Sequence, residues 1–237
     1  MGCGRSKGKI YLAANENIVK AHSATLQETE LSMEEGATLL HIFSTMELET
    51  AKENAPMGVV GISFAAFSSK LAIKTSKFAL NIFAAGCGLP AGVFPEQKLA
   101  GRMDSHQFLK CITDLCVRTD VGLKKYAFDL YKDRNDGIST KAMIKLVHET
   151  YDFCAVPGAQ VFWDPKSVTA KMDQAESFIV ESAGNDGVFQ RGEFDEFVRK
   201  RHQLLQQVFL LQNAAKDKAG GVNFWKTLMK RRRKNYR

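Results

Sequence analysis

The chain has 237 residues, of which 45% are hydrophobic and 25% are charged. This composition is typical of a globular protein with a full-sized core, and it excludes a disordered chain, a collagen-like fibre and a disulfide-stapled miniprotein. The formal net charge is +7, but residues 1–10 contribute three positive charges and residues 226–237 contribute seven, so residues 11–225 hold −3. Basic ends on a mildly acidic body favour two tethers to an anionic surface or to an acidic partner over a nucleic-acid groove.

The cysteines and the hydropathy indicate where the chain functions. The five cysteines are odd in number, show no paired spacing and follow no signal sequence, which predicts a reducing, cytosolic setting. The longest uncharged stretch, residues 78–95, contains three glycines and two prolines, which are Gly86, Gly88, Pro90, Gly92 and Pro95. These residues would leave backbone groups unpaired in lipid, so we expect no membrane-spanning helix.

The N-terminus predicts lipid attachment. Met1-Gly2-Cys3-Gly4-Arg5-Ser6 matches the pattern for myristoylation of Gly2 once Met1 is removed, and Cys3 lies where a palmitoyl transferase could reach it. One myristoyl chain binds membranes only marginally, with an association constant of about 10⁴ M⁻¹, so a second signal is needed. Cys3 and the basic residues Arg5, Lys7 and Lys9 supply candidates for that signal.

Amphipathic helical segments follow. Ser32 and Glu35 form a predicted capping box before apolar residues at helical spacing, and Asp164-Pro165 predicts another helix start. The spacing of Phe108, Cys111, Ile112 and Leu115 predicts a helix in which Cys111 is part of the core. Lys70, Lys74 and Lys77 would share one face of a continuous helix, either at a membrane surface or, more commonly, in solvent.

Residues 182–193 have the frame of a helix-loop-helix calcium loop. Gly187 is sixth, Phe189 is the apolar eighth residue that pairs with a neighbouring loop, and Glu193 is the twelfth, chelating residue. Equivalent eighth residues elsewhere are Ile62, Met103 and Ile138. A second apolar residue follows five positions after each eighth residue: Phe67, Phe108, Met143 and Phe194. This repeat predicts an all-α fold of four such units, paired within two lobes.

These features resemble the calcineurin-B-like and neuronal-calcium-sensor branch of the EF-hand superfamily over about residues 30–212. The resemblance includes an aromatic entry to the third loop at residues 126–131, a fourth loop followed by a trailing helix at residues 194–205, and the segment 78–83 before the second loop. It implies an acylated, non-enzymatic regulatory subunit or adaptor with an apolar groove for a partner helix. Within this chain, residues that could instead fill the groove are Leu204, Leu205, Val208, Phe209 and Leu211.

The calcium ligands depart from that family. The twelfth residues are Ala66, Gln107, Ala142 and Glu193, so only the fourth loop keeps the bidentate carboxylate. In the third loop, Gly137 directly precedes Ile138, which indicates one missing residue if that glycine makes the turn; without a gap the loop runs from Tyr131, and with a gap it begins at Lys132. The fourth loop offers one weak calcium site, composed of Ser182, Asp186, the Val188 carbonyl, Gln190 and Glu193.

The C-terminus completes the prediction of a peripheral, lipid-anchored protein at the cytoplasmic face of a membrane. Phe224, Trp225, Leu228 and Met229 precede a basic run, which favours an amphipathic segment on anionic lipid. That run is Lys230, Arg231, Arg232, Arg233 and Lys234. We expect an acylated segment (1–30), two paired units (31–118 and 119–212) and a basic tail (213–237).

Two alternatives stay open: a calcium sensor acting through the fourth loop, and a nuclear or nucleic-acid-associated protein addressed by the basic tail. The scattered histidines and the absence of serine-hydrolase or zinc spacings predict no enzyme, and the one cofactor that we expect is a weakly bound calcium ion in the fourth loop, if any.

Overall fold

A computed structural model describes residues 3–52, 60–73, 76–90, 93–133, 135–151, 165–184 and 186–235. The prediction of a mainly helical chain is confirmed: 77% of the structure is helix, with almost no strand. Within the described residues, no helix combines the length and the apolar character that a membrane crossing requires.

The N-terminal segment forms three short helices that pack beside a long one. They are α1 (Cys3–Ala14), α2 (Glu16–Ala21) and α3 (Ser23–Glu28), and the long helix is α4 (Met33–Ala51). The predicted capping box at the start of α4 is confirmed: Glu35 N donates to Ser32 Oγ at 3.2 Å and Ser32 N donates to Glu35 Oε2 at 2.8 Å. Tyr11 holds α1 on α4 through a hydroxyl contact to Ser44 Oγ at 3.1 Å.

The remainder of the first half contains α5 (Phe64–Lys70), α6 (Lys77–Gly86), α7 (Pro95–Ala100) and α8 (Ser105–Val117). Lys70 ends one helix and Lys77 begins the next. The continuous lysine face expected over residues 70–77 is therefore wrong, because the chain breaks the helix between them. An antiparallel bridge joins Ile62 and Met103, with N···O distances of 2.9 and 3.1 Å.

The second half repeats this arrangement. Its elements are α9 (Asp120–Tyr131), β1 (Ile138–Ser139), α10 (Thr140–Tyr151), α11 (Pro165–Ser182), β2 (Val188–Phe189) and α12 (Arg191–Lys200). The helix start expected at Pro165 is confirmed. β1 and β2 are antiparallel, with Ile138 opposite Phe189. Backbone pairing therefore joins all four predicted eighth residues, two by two.

The last part of the chain folds back onto both halves. A 3₁₀ turn (His202–Leu205) leads into α13 (Gln206–Lys218), which contacts α8, α9 and α10, and α14 (Val222–Asn235) packs on α8 and α13. The domain boundary expected at residue 212 falls inside α13. The residues of the buried core form one contiguous apolar cluster that extends through both halves and includes Val19, Phe67, Phe194 and Trp225.

Candidate functional site

The fourth loop has the backbone expected of it. α11 ends at Ser182, Gly187 adopts φ +64°, and Gln190 is the residue before α12. Glycine suits this left-handed position because it has no Cβ to clash. Ser182 and Glu193, the first and twelfth residues, line one cavity of about 570 Å³ together with Phe189 and Phe197.

The carboxylates of this loop bond to its backbone. Glu193 Oε2 accepts the Gln190 amide at 2.8 Å, and Asp186 Oδ1 accepts the Val188 amide at 3.1 Å. Within the described ranges, no three His, Cys, Asp or Glu residues converge as a metal ligand set. Calcium takes six to eight oxygen ligands, toward which the described part of this loop offers two carboxylates, each already bonded to a backbone amide. Hydrogen bonds close the loop instead.

The third loop has its full length, which corrects the expectation of a missing residue. Asp136, two residues before Ile138, adopts φ +64°, the same conformation as Gly187 two residues before Phe189. Aspartate tolerates this left-handed region better than most residues. Gly137 serves a different purpose: a Cβ there would lie 2.6 Å from Val188 Cγ1 on the paired strand. The ungapped loop, from Tyr131 to Ala142, is the one that the chain adopts.

Polar side chains of the third loop bond within the chain. Asp133 Oδ1 accepts the amides of Asn135 at 2.8 Å and Gly137 at 3.4 Å. Lys132 Nζ lies 2.7 Å from Asp136 Oδ1 and 3.3 Å from Asp129 Oδ1. An ammonium group therefore neutralises carboxylates in and beside this loop.

The same closure occurs in the first half. The ninth residues, Ser63 and Asp104, each cap the following helix by accepting an amide from the twelfth residue, at 3.1 Å from Ala66 and 2.8 Å from Gln107. Ser139 accepts from Ala142 in the third loop at 3.2 Å. In these three loops the backbone amide of the twelfth residue donates to the side chain that caps the helix. Every residue type except proline has this amide, so Ala and Gln can occupy the twelfth position as well as Glu.

A polar cluster joins the two halves, and no motif in the sequence predicts it. Asn81 of α6 donates to the Tyr131 hydroxyl and to Glu149 Oε2, both at 2.7 Å, and Tyr131 also donates to Glu149. Lys98 of α7 donates to Asn81 Oδ1. Burial lowers the pKa of Lys98, as does the nearby Lys145, while Glu149 opposes the shift. Tyr131 thus uses the first position of the third loop to connect the halves.

The residues expected to line or fill an apolar groove are mostly buried by the chain itself. Leu204, Leu205, Val208 and Leu211 are at most 6% exposed, and Phe209 is half-buried. Gln212 fixes α13 further, because its amide donates to the carbonyl oxygens of Leu115 at 2.7 Å and Arg118 at 3.0 Å. The trailing helix therefore folds back onto the chain, instead of leaving an open groove for a partner helix.

The expected membrane-facing segment is also used differently. Trp225 and Leu228 are 1% and 0% exposed, and the indole Nε1 donates to the Ala219 carbonyl at 2.6 Å. The apolar side of α14 faces the core rather than standing free, which corrects the expectation of an unpacked amphipathic tail. Arg231 and Arg232 also bond to the chain, whereas Lys230, Arg233 and Lys234 are exposed.

The lipidation residues are only partly described. Gly2 lies outside the described residues. The backbone of Cys3 begins α1, and the side chains of Cys3, Arg5 and Lys7 are not among those described. Lys9 is exposed, with its Nζ 3.9 Å from Glu34 Oε1. Cys111 is buried as predicted, and burial raises the pKa of its thiol to about 12, which keeps the thiol protonated at neutral pH.

Neither protein-family models nor curated proteins give a match to this chain. The class that the fold defines directly is therefore a helical protein with two pairs of bridged loops.

The fourth loop yields a testable prediction. Because it lacks acidic residues at its first and third positions, Ser182→Asp with Gly184→Asp should create calcium binding measurable by isothermal titration, while the wild type shows little heat and no calcium-dependent rise in melting temperature. Adding Glu193→Gln should abolish the new site. If the folded double variant stays silent, its backbone is not a calcium-binding loop.

Proposed function

We propose that the chain is a non-enzymatic, EF-hand-like adaptor or regulatory subunit held at the cytoplasmic face of a membrane. Its four units are α4–α5, α6–α8, α9–α10 and α11–α12. The observation that carries this proposal is the bridging of Ile62 with Met103 and of Ile138 with Phe189, because the sequence relates these four residues by one repeated offset to a following apolar residue.

Calcium is not part of the proposed function. The capping contacts described above hold the loops, and the fourth-loop carboxylates are engaged by backbone amides. The units therefore act as a rigid scaffold rather than a switch. A partner helix would have to bind outside the volume that α13 fills, or else displace that helix.

Membrane attachment through Gly2 and Cys3 rests on the sequence motif together with the position of α1. This helix starts at Cys3 and packs on α4, so lipids on the first residues would emerge next to the folded body. A myristoyl group and a second signal are needed together for stable attachment.

Cell fractionation tests this attachment. Gly2→Ala should move the protein largely to the soluble fraction and abolish incorporation of a labelled myristate analogue, whereas Cys3→Ser should leave weak, reversible membrane association. Gly4→Ala is the matched control and should behave like the wild type. An unchanged membrane fraction for Gly2→Ala would refute acyl anchoring.

A further inference from the structure

The helix α14 separates its basic residues into two sets. Arg231 lies on the inner side, where its guanidinium bonds to both carboxylate oxygens of Glu35 at 2.9 and 2.6 Å and to the Glu30 carbonyl at 2.6 Å. Arg232 donates to the Thr29 carbonyl. Both charges are therefore engaged by the turn between α3 and α4.

The other set occupies the opposite side. At about 100° per residue, Lys226, Lys230, Arg233 and Lys234 fall within an arc of about 100°, roughly opposite Trp225 and Leu228. All four are exposed, and no ion pair joins them to a carboxylate in the described part of the chain. α14 itself contains no acidic residue. We call these four residues the outer basic face.

The first helix, α1, and the last helix, α14, contact neighbouring residues of α4. Glu34 and Glu35, neighbours in the first turn of α4, contact Lys9 of α1 at 3.9 Å and Arg231 of α14 at 2.6 Å. Cys3 precedes Lys9 by six residues, a rise of about 9 Å along a helix. Lys9 of α1 and Arg231 of α14 thus meet the same turn of α4, and the acylation motif lies within about 10 Å of Lys9 along the chain.

We propose that the outer basic face is an anionic-lipid surface, which, together with the acylated N-terminus, orients the protein on the membrane. This rests on the proposed membrane attachment. A bilayer fits better than a nucleic acid because one helical face offers a single row of charges, and the body is mildly acidic, so it would repel a polyanion that wrapped beyond α14. Each basic residue near an anionic leaflet strengthens partitioning about fivefold, less than additively.

Vesicle co-sedimentation of the unacylated full-length protein tests the surface without depending on Gly2. The probes are phosphatidylcholine vesicles with and without about one third phosphatidylserine, at physiological and at raised salt. The wild type should prefer the anionic vesicles and lose binding as salt rises. Replacing the outer basic face by glutamine (Lys226→Gln, Lys230→Gln, Arg233→Gln and Lys234→Gln) should lower the partition coefficient at least tenfold.

Two controls separate position from net charge. Glutamine at four exposed lysines of other elements should change partitioning less than twofold, and these lysines are Lys52, Lys141, Lys166 and Lys200. Arg232→Gln and Arg233→Gln remove the same charge from neighbouring residues on different sides of α14. Only Arg233→Gln should weaken binding, by about threefold to fivefold.

Several results would overturn the proposal. They are equal losses in the two quadruple variants, equal binding of the wild type to neutral vesicles, and tighter binding to a duplex oligonucleotide than to anionic vesicles at the same salt. The vesicle assay uses unacylated protein, so its result does not depend on the acyl anchor. If Gly2→Ala makes the protein soluble in cells and the unacylated wild type does not bind anionic vesicles, only the proposal for the outer basic face is refuted. Vesicle binding with an unchanged Gly2→Ala distribution would refute only acyl anchoring.

Discussion

Trp225→Ala should lower the free energy of unfolding by about 3–5 kcal/mol, because it leaves a large cavity and removes the indole bond to Ala219. That loss is a large fraction of the stability of an ordinary domain, and it corresponds to a fall of about 10 °C in melting temperature for a chain of this size. Thermal and urea unfolding followed by circular dichroism would measure it.

Trp225→Phe is the matched variant, since it retains most of the buried ring and loses the N–H donor. It should lower stability by about 1–2 kcal/mol. If Trp225→Ala unfolded at the wild-type temperature, α14 would not be docked as described, and the division of its basic residues into two sets would lose its basis.

Arg231→Gln should lower the free energy of unfolding by about 1–2 kcal/mol at pH 7, because it leaves the half-buried Glu35 carboxylate without its bidentate partner. Burial alone would raise the pKa of Glu35, but the hydrogen bonds from Arg231 and Ser32 outweigh it and hold the pKa below its usual range. Urea titrations from pH 7 down to pH 3 would measure the difference between the two proteins.

The sign of the pH dependence follows from that shift. A carboxylate whose pKa is depressed by folding adds stability above its unfolded pKa of about 4.3, and this stability is lost as pH falls through the lower folded value. The gap between wild type and Arg231→Gln should therefore narrow below about pH 4. Arg199→Gln removes an exposed Arg–Glu pair and should leave the free energy of unfolding essentially unchanged at all of these pH values. A gap that stayed constant with pH would mean that Glu35 is not held by Arg231.

The parts of the fold that depend on local pattern could be predicted. The capping box at Ser32 is contained within four residues, and the bridged residues Ile62, Met103, Ile138 and Phe189 each precede a helix by a fixed offset. Local propensity and spacing are enough to place such features.

The parts that depend on distant contacts could not be predicted. The segment around Trp225 has the same amphipathic pattern whether its apolar side packs on lipid or on the protein core. Arg231 bonds to Glu35, which lies 196 positions away in the sequence. In the third loop, the glycine next to Ile138 is an obvious turn residue, yet Asp136 adopts the left-handed conformation, and Gly137 instead leaves room for Val188 of the paired strand. The local sequence around each of these residues does not specify which distant residue it will contact in the fold.

Tyr131 makes the third loop part of the contact between the two halves. Its position in the third loop is the one where a calcium-binding loop places its first ligand, but its hydroxyl is engaged by Asn81 of one half and Glu149 of the other. A single side chain cannot serve both purposes, so a substitution that placed an acidic ligand at residue 131 would also remove the hydrogen bonds of the Tyr131 hydroxyl. The bond from Asn81 to Glu149 would then be left to join the halves at this point, so a metal ligand added here would weaken their contact.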